Sequence, residues 1–331
     1  MTARQLSALL KNFPAEYTLI ETHISWVLLT ESFAYKIKKP VQFSFLDFST
    51  LEKRRYFCER ERSLNQRLTS GIYLEVLPIW TLNDEQVQIG AKPPAQATII
   101  DYALKMKRLD NNHQMHRLLR QGQVEPEQIK QLATQLAAFH LRAEPVYETF
   151  DVSALDEKFA DILSVASFLS ENGLPNATQH LTEMVRVASR FLQQHAAHFQ
   201  ARSAQGFVID GHGDLHSGNI FLLEEPVIFD CIEFNDAFRQ VDMLDEIAFL
   251  CLDFDYYQQP GLAVHFLKTY LAQVPCMQAP TDQQVFQFYK LYRANVRLKV
   301  LALQAMQENP KLLTKARPYY ALMQEYARTI A

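Results

Sequence analysis

Four of the nine glycines in this 331-residue chain, Gly206, Gly211, Gly213 and Gly218, fall within 13 consecutive residues. They lie in GFVIDGHGDLHSGNIFLLEEPVIFDCIEF (residues 206–234), where short apolar runs surround a turn-rich stretch. That pattern reads as a loop followed by a two-strand hairpin. It interrupts a region otherwise dominated by helical periodicity, so the fold must hold one sharply turning, carboxylate-bearing segment inside a helical body. Glycine is otherwise scarce, about 2.7% of the chain against roughly 7% in ordinary proteins. That excludes collagen-like and low-complexity classes. Neither a G-x-x-x-x-G-K-[ST] nor a G-x-G-x-x-G string occurs, so the P-loop and the dinucleotide fingerprint are both excluded.

Upstream the pattern is different. YTLIETHISWVLLTESFAYKIK (17–38) is rich in β-branched and aromatic residues, with polar interruptions at Glu21–His23 and Thr30–Ser32 that suit turns. A helix is predicted from about Leu51 to Leu68, with Ser49 or Thr50 as cap. Two extended pieces, IYLEVLPIW and ATIIDYALKMKRL, flank NDEQVQIGAKPPAQ, whose proline pair argues against continuous structure. From there helical spacing takes over. Ile129, Leu132, Ala133, Leu136 and Phe139 line one face of EQIKQLATQLAAFHLR. Helix is also predicted over 155–200, broken at Asn172-Gly173 and Pro175, and over 283–305 and 309–330. The expected fold class is α+β: an antiparallel sheet plus one helix over 1–108, then a mainly helical part over 109–331.

Within the glycine cluster, His212-Gly213-Asp214-Leu215-His216-Ser217-Gly218-Asn219 sets a carboxylate five residues before an amide. The hairpin that follows ends in Ile228-Phe229-Asp230. Phosphoryl transfer from Mg-ATP needs such parts: a carboxylate for the acceptor hydroxyl, an amide oxygen on magnesium, and a second carboxylate for the bridging metal. D-x-x-x-x-N is also the spacing of the protein-kinase catalytic loop. Ala34 and Lys36 share one face of an extended segment by alternation, and Lys38 lies on the same face. Phe57, Glu61, Leu64 and Leu68 fall at helical spacing, so Glu61 interrupts an apolar stripe and requires a cationic partner, which Lys36 would supply.

HGDLHSGN followed by IFD resembles the catalytic loop and metal-binding segment of the aminoglycoside phosphotransferase-like small-molecule kinases, whose fold is the protein-kinase fold. ETHISWVLL, AYKIKKPV and FLDFSTLEKRR resemble a bacterial subgroup often fused to a P-loop kinase domain, which makes a separate P-loop kinase partner a candidate. The resemblance runs from about residue 17 to 300 and is weakest over 150–200. It implies Asp214 as catalytic base, Asn219 and Asp230 as magnesium ligands, and Asp242 as a structural aspartate bracing the loop backbone. Asp230 is preferred to Glu233 because Asp230-to-Asp242 preserves the family spacing. It further implies that Ala34 sits over adenine, that Lys36 grips the ATP phosphates with Glu61 as its partner, and that Met106–Leu109 (Met106, Lys107 and Leu109) form the hinge. The glycine-rich loop of the family would fall at Glu21–Ser25, where no glycine occurs, leaving Ser25 and backbone amides to cover the phosphates.

Residues 224–255 carry ten acidic side chains against one basic, Arg239. A solvated face explains this, and so does a pocket for a cationic or hydroxyl-rich acceptor to which Asp236, Asp245, Glu246, Asp253 or Asp255 contributes. Lys290, Arg293 and Arg297 share a helical face that suits solvent or an anionic acceptor. A zinc reading of His212-x-Asp214-x-His216 lacks further ligands. The net charge of −4 gives no reason to expect nucleic acid, and no run of 18 apolar residues suggests a membrane segment. MTARQLSALLKN lacks the apolar stretch of a signal peptide, and four dispersed cysteines suit reduced thiols in the cytoplasm. The expected activity is ATP- and magnesium-dependent phosphorylation of a small-molecule hydroxyl. The alternatives are a catalytically degenerate kinase fold that binds or regulates, or a protein kinase or nucleotidyl transferase on the same scaffold.

Overall fold

A computed structural model of the chain describes residues 1–13, 16–83, 86–307 and 310–331. Its first element, α1 (Ala3–Lys11), is one the sequence reading passed over. The signal was present, since Thr2 and Gln5 form a reciprocal capping box: Thr2 Oγ1 accepts the Gln5 amide and Gln5 Oε1 accepts the Thr2 amide. The expected extended stretch then resolves into β1 (Thr18–Glu21), β2 (Ser25–Leu29) and β3 (Phe33–Lys38), turning where the polar interruptions fall. A short hairpin, β4 (Gln42–Phe43) and β5 (Leu46–Asp47), leads to α2 (Leu51–Asn65), whose cap is Thr50.

β6 (Tyr73–Thr81), β7 (Val87–Ile89) and β8 (Thr98–Lys107) complete a six-stranded antiparallel sheet in the order β1-β2-β3-β8-β6-β7. β7 departs from the expectation of a loop before the proline pair. Val87 is buried in the core with Leu6, Leu9, Trp26, Leu28, Ile37 and Ile79, so tertiary packing rather than local propensity makes this strand. Asp84 and Glu85 of that segment lie outside the described residues. α2 packs against β8 and β6.

The helical part runs α3 (Met115–Gln121), α4 (Pro126–Arg142), α5 (Val152–Ala160), α6 (Ala166–Glu171) and α7 (Ala177–Ala204). Next come β9 (Val208–Asp210), the hairpin β10 (Ile220–Phe221) with β11 (Val227–Ile228), and β12 (Gln240–Asp242), which pairs back on β9. α8 (Met243–Tyr256), α9 (Pro260–Leu271), α10 (Pro280–Gln307) and α11 (Leu313–Ile330) follow; Asn309, within the last expected helix, lies outside the described residues. Pro126 and Pro260 occupy first helical positions, where a missing N–H costs nothing. α8 is buried all round: every residue from Met243 to Phe254 is buried. A helix so enclosed must compensate each carboxylate it carries.

The chain forms two compact units. The first comprises Met1–Gln114, Asn219–Leu223 and Val227–Phe238; the second comprises Met115–Gly218, Glu224–Pro226 and Arg239–Ala331. This differs from a single cut after residue 108, because the β10–β11 hairpin and the segment after it belong with the sheet. The fold is α+β. Among the described residues no helix is long and apolar enough to cross a membrane.

Candidate functional site

In the first unit, alternation along β3 brings Lys36 and Lys38 to one side, and both reach Glu61 on α2. Lys36 Nζ lies 2.8 Å from Glu61 Oε1, and Lys38 Nζ lies 2.7 Å from Oε2. Each lysine has a second carboxylate: Lys36 bonds Asp230 Oδ1 at 2.7 Å, and Lys38 bonds Glu233. The two alternatives left open by the sequence, Lys36 against Lys38 and Asp230 against Glu233, are therefore two parallel pairs sharing one buried glutamate. Burial alone would raise the Glu61 carboxyl, but Lys36 and Lys38 outweigh it and bring it down to about 2. Burial likewise opposes the charge on Lys36, yet Asp230, Glu61 and Glu233 hold its ammonium well above the usual range. Glu233, desolvated and close to Glu61, is shifted up despite Lys38.

The face of α2 that carries Glu61 is not the one predicted. Arg54, Cys58, Glu61 and Asn65 are its buried residues, whereas Phe57 and Leu64 are only partly buried. Spacing found the right residue on a mistaken stripe, because the buried face is polar and is held by specific partners such as Arg54 to Asp101 at 2.8 Å.

Asp230 has φ +63°, in the left-handed region that a non-glycine residue avoids. Two groups hold it there. The Asp230 amide donates to the Tyr73 hydroxyl at 2.9 Å, and the Cys231 amide donates to Asn65 Oδ1 at 2.9 Å. Sequence reasoning missed Tyr73 and Asn65, whose signal is only that polar residues end α2 and begin β6. The Asp230 side chain is 43% exposed, so its carboxylate is open to a ligand while its backbone is fixed. Asn219 is nearly buried, and its carbonyl accepts the Phe229 amide at 3.0 Å, across the β10–β11 pair.

Ala34 pairs with Met106 across β3 and β8, so two residues expected at the adenine are strand neighbours. The Lys107 amide is already committed to Ile72 C=O at 2.9 Å, and Leu109 follows the end of β8. For Ser25 the structure corrects the expectation. Its side chain is buried, and its hydroxyl lies 2.9 Å from Thr22 Oγ1, which also accepts the Ile24 and Ser25 amides. Ser25 builds the glycine-free turn between β1 and β2; its hydroxyl does not face open space.

In the second unit, Asp214 sits on a loop restrained from several sides. Glu246 Oε1 accepts the amides of His212 and Gly213, both at 2.5 Å. Arg293 donates to Gly213 C=O at 3.1 Å, and His212 Nδ1 accepts the Asp214 amide at 3.2 Å. Glu246 is in turn held by His140 at 2.8 Å, and His140 by the Tyr270 hydroxyl at 2.5 Å. The glycines are required here. Gly213 has φ +84°, and a Cβ on Gly211 would lie 2.7 Å from the Glu246 carboxyl carbon. His216 Nε2 lies 3.4 Å from Asp214 Oδ2. Desolvation opposes ionisation of Asp214, but His216, His212 and Arg297 hold its carboxyl well below the usual carboxylate range.

Several expectations are corrected here. Glu246, not Asp242, braces the loop; Asp242 instead caps α8 and takes a bidentate Arg202 at 2.7 Å. Asp245 and Glu246 are both buried and committed to partners, Glu246 to the loop amides and His140, and Asp245 to Arg293 at 2.6 Å and 2.7 Å. Asp236, in the first unit, pairs with Arg60 of α2. The acidic run is not a solvated face. Asp230, Glu233, Asp236, Asp242, Asp245 and Asp255 each pair with a lysine or arginine from another element. Lys290 and Arg293 are likewise buried in pairs rather than exposed. A cavity of about 210 Å³ adjoins the Asp214 loop within this unit, lined in part by His216, Asp253 and Arg297.

No family model matches the sequence. Uncharacterised proteins of Mycobacterium tuberculosis and Mycobacterium bovis are 30% identical over 304 residues, covering 89% of this chain and 57% of each relative. The chain thus spans just over half the length of these curated relatives. A choline kinase from Cryptosporidium parvum has TM-score 0.55 at 12% identity, covering 96% of this chain and 90% of its own. An ethanolamine kinase from Plasmodium vivax has TM-score 0.51 at 10% identity, covering 96% and 85%. A GDP complex of an aminoglycoside 2'-phosphotransferase mutant has TM-score 0.52 at 11% identity, covering 98% and 96%. At these identities the likeness is one of fold, which the chain shares with these small-molecule kinases.

Proposed function

We propose that this chain is a phosphotransferase of the aminoglycoside phosphotransferase-like family, transferring the γ-phosphate of ATP to a hydroxyl of a small molecule with magnesium. The observation that carries the reading is the Lys36–Glu61–Asp230 chain of contacts, 2.8 Å and 2.7 Å, ending on a strained and accessible aspartate. Its geometry aligns a cation for phosphate oxygens beside a carboxylate poised for a metal, which is what phosphoryl transfer requires.

Asn219 and Asp230 would hold magnesium. One amide oxygen and one carboxylate suit a hard ion that leaves most of its octahedral positions to water and phosphate oxygens. Bound there, magnesium would neutralise charge on the phosphate oxygens. Lys36, kept cationic by its carboxylates, would contact the phosphates, and Glu61 would fix its position. Asp214, kept ionised, would accept a hydrogen bond from the acceptor hydroxyl and take up its proton as the new P–O bond forms and the bond from the γ-phosphorus to the β,γ-bridging oxygen breaks, ADP leaving with that oxygen. The chain passes from the second unit to the first at Gly218–Asn219, inside the loop that carries Asp214. Ala34, Met106, Lys107 and Leu109 would border the nucleotide base. These groups act by positioning and charge neutralisation.

One observation favours a second reading, a degenerate kinase fold used for binding or regulation. The turn between β1 and β2 has no glycine and buries Ser25. Incubation with Mg-ATP and a set of small hydroxyl acceptors, with mass spectrometry of acceptor and protein, separates the outcomes. A phosphorylated acceptor supports the proposal. Intact ATP, a phosphorylated protein or a nucleotidylated product would each reject it in favour of one alternative.

A further inference from the structure

The cavity next to the Asp214 loop has an unbalanced lining. Arg120 of α3, Arg297 of α10 and Lys315 of α11 face it against a single carboxylate, Asp253 of α8. Asp253 is committed to the loop, accepting the Ser217 amide at 2.7 Å and the Ser217 hydroxyl. Among the described residues none of the three cations forms an ion pair with a carboxylate. Along α10, Lys290 is matched by Asp255 and Arg293 by Asp245 at contact distance, while Arg297, on the same face, has no carboxylate that close and acts on Asp253 and Asp214 from further away.

Two polar atoms in the lining lack hydrogen-bond partners altogether. Arg297 Nε and His116 Nδ1 are both buried and unpaired. Arg297 Nε–H is a donor without an acceptor, and His116 Nδ1 is a donor or an acceptor according to its tautomer, so two residues of the lining carry hydrogen-bonding capacity that the protein itself does not use. Burial, reinforced by Arg120 and Arg117, pushes the His116 imidazole down to about 4. It is therefore neutral at physiological pH, leaving the positive charge to Arg120, Arg297 and Lys315. His216 also lines the cavity and lies 3.4 Å from Asp214, which ties the cavity to the proposed acceptor carboxylate.

We infer that this cavity receives the anionic group of the phosphoryl acceptor, making the acceptor a small hydroxy compound that carries a phosphate or a carboxylate. The inference rests on the phosphotransferase reading for the word acceptor; the anion site itself does not. A lining guanidinium without a carboxylate at contact distance, flanked by two further cations, recognises a planar or tetrahedral oxyanion through charge-assisted hydrogen bonds. A cationic amine there would meet three like charges.

Calorimetric titration of the full chain without nucleotide tests this, using glycerol, glycerol 3-phosphate, glycerate and ethanolamine as probes. Glycerol 3-phosphate or glycerate is expected to bind, and their ranking separates phosphate from carboxylate. Glycerol and ethanolamine are expected not to bind. Arg120→Gln and Lys315→Gln, at exposed positions that leave the core untouched, should each weaken the anion about tenfold. Arg297→Gln should weaken it by at least as much. Equal affinity in wild type and all three variants, binding of ethanolamine in preference to the anions, or no binding by either anion would overturn the inference. Anion binding with no phosphoryl transfer to any acceptor would keep the anion site and remove only the phosphotransferase reading. Transfer to glycerol or ethanolamine without anion binding would do the reverse.

Discussion

Replacing Glu61 with glutamine removes one charge from a fully buried position where each carboxylate oxygen serves a different lysine. The glutamine carbonyl can accept from one lysine, but its amide nitrogen can only present a donor to the other. Two routes give the size of the loss. The Glu61 carboxyl falls from an ordinary 4.5 to about 2; at ~1.4 kcal/mol per tenfold change in proton affinity this is about 3 kcal/mol. Removing one partner from a buried ion pair costs about 3–5 kcal/mol in comparable cases. Both Trp26 and Trp80 lie in the first unit with Glu61, so tryptophan fluorescence during urea unfolding reports the relevant part of the chain. The expected result is a loss of about 3 kcal/mol for Glu61→Gln at neutral pH. The sign with pH follows from a lowered carboxyl. The stabilisation is complete above 4.5 and disappears as pH falls towards about 2, so the gap between wild type and variant should close over that interval. A neutral-pH loss below about 0.5 kcal/mol, or a gap that stays constant down to pH 2, would refute the reasoning.

Asn65→Ala frees the Cys231 amide and relaxes the backbone at Asp230; magnesium-dependent nucleotide affinity should fall by about tenfold, measured by titration with and without the metal. Glu246→Gln leaves the His212 and Gly213 amides with a weaker acceptor, so turnover should fall by roughly a hundredfold while nucleotide affinity is retained. The Glu246 carboxyl is desolvated, but His140, His212 and the loop amide bring it from 4.5 down to about 2, so this brace too should persist in wild type until pH drops below 4.5. All four cysteines are buried thiols outside any disulfide, and burial pushes the Cys58 and Cys276 thiols up to about 12. Iodoacetamide at neutral pH should therefore label the native chain slowly and the urea-unfolded chain quickly.

The sequence exposed what depends on local chemistry. A carboxylate and an amide five residues apart in a glycine-rich turn, and a lysine beside an alanine on an alternating strand, could be read from short windows. The choice between Lys36 and Lys38 was undecidable at that level, since alternation puts both on one side, and a carboxylate with two oxygens accommodates both. Glu61 was found because a carboxylate set on an apolar helical stripe stood out. Its true neighbours, Arg54, Cys58 and Asn65, could not be chosen without knowing what faces them. The bracing role went to Glu246 rather than Asp242 because a helix buried on every side decides pairing by tertiary contacts, and periodicity says nothing about those. The same holds for the cavity, whose cations arrive from α3, α10 and α11, segments separated by nearly two hundred residues.

The central claim is that Asp214 serves phosphoryl transfer from ATP to a small-molecule hydroxyl. Phosphorus NMR of Mg-ATP incubated with the chain and small hydroxy acceptors, anionic ones included, follows both products in one spectrum. The account predicts a phosphomonoester signal growing in step with ADP, slowed about a hundredfold or more by Asp214→Asn while ATP affinity is unchanged. ATP left intact with every acceptor, or a phosphomonoester formed equally fast by Asp214→Asn, would contradict it.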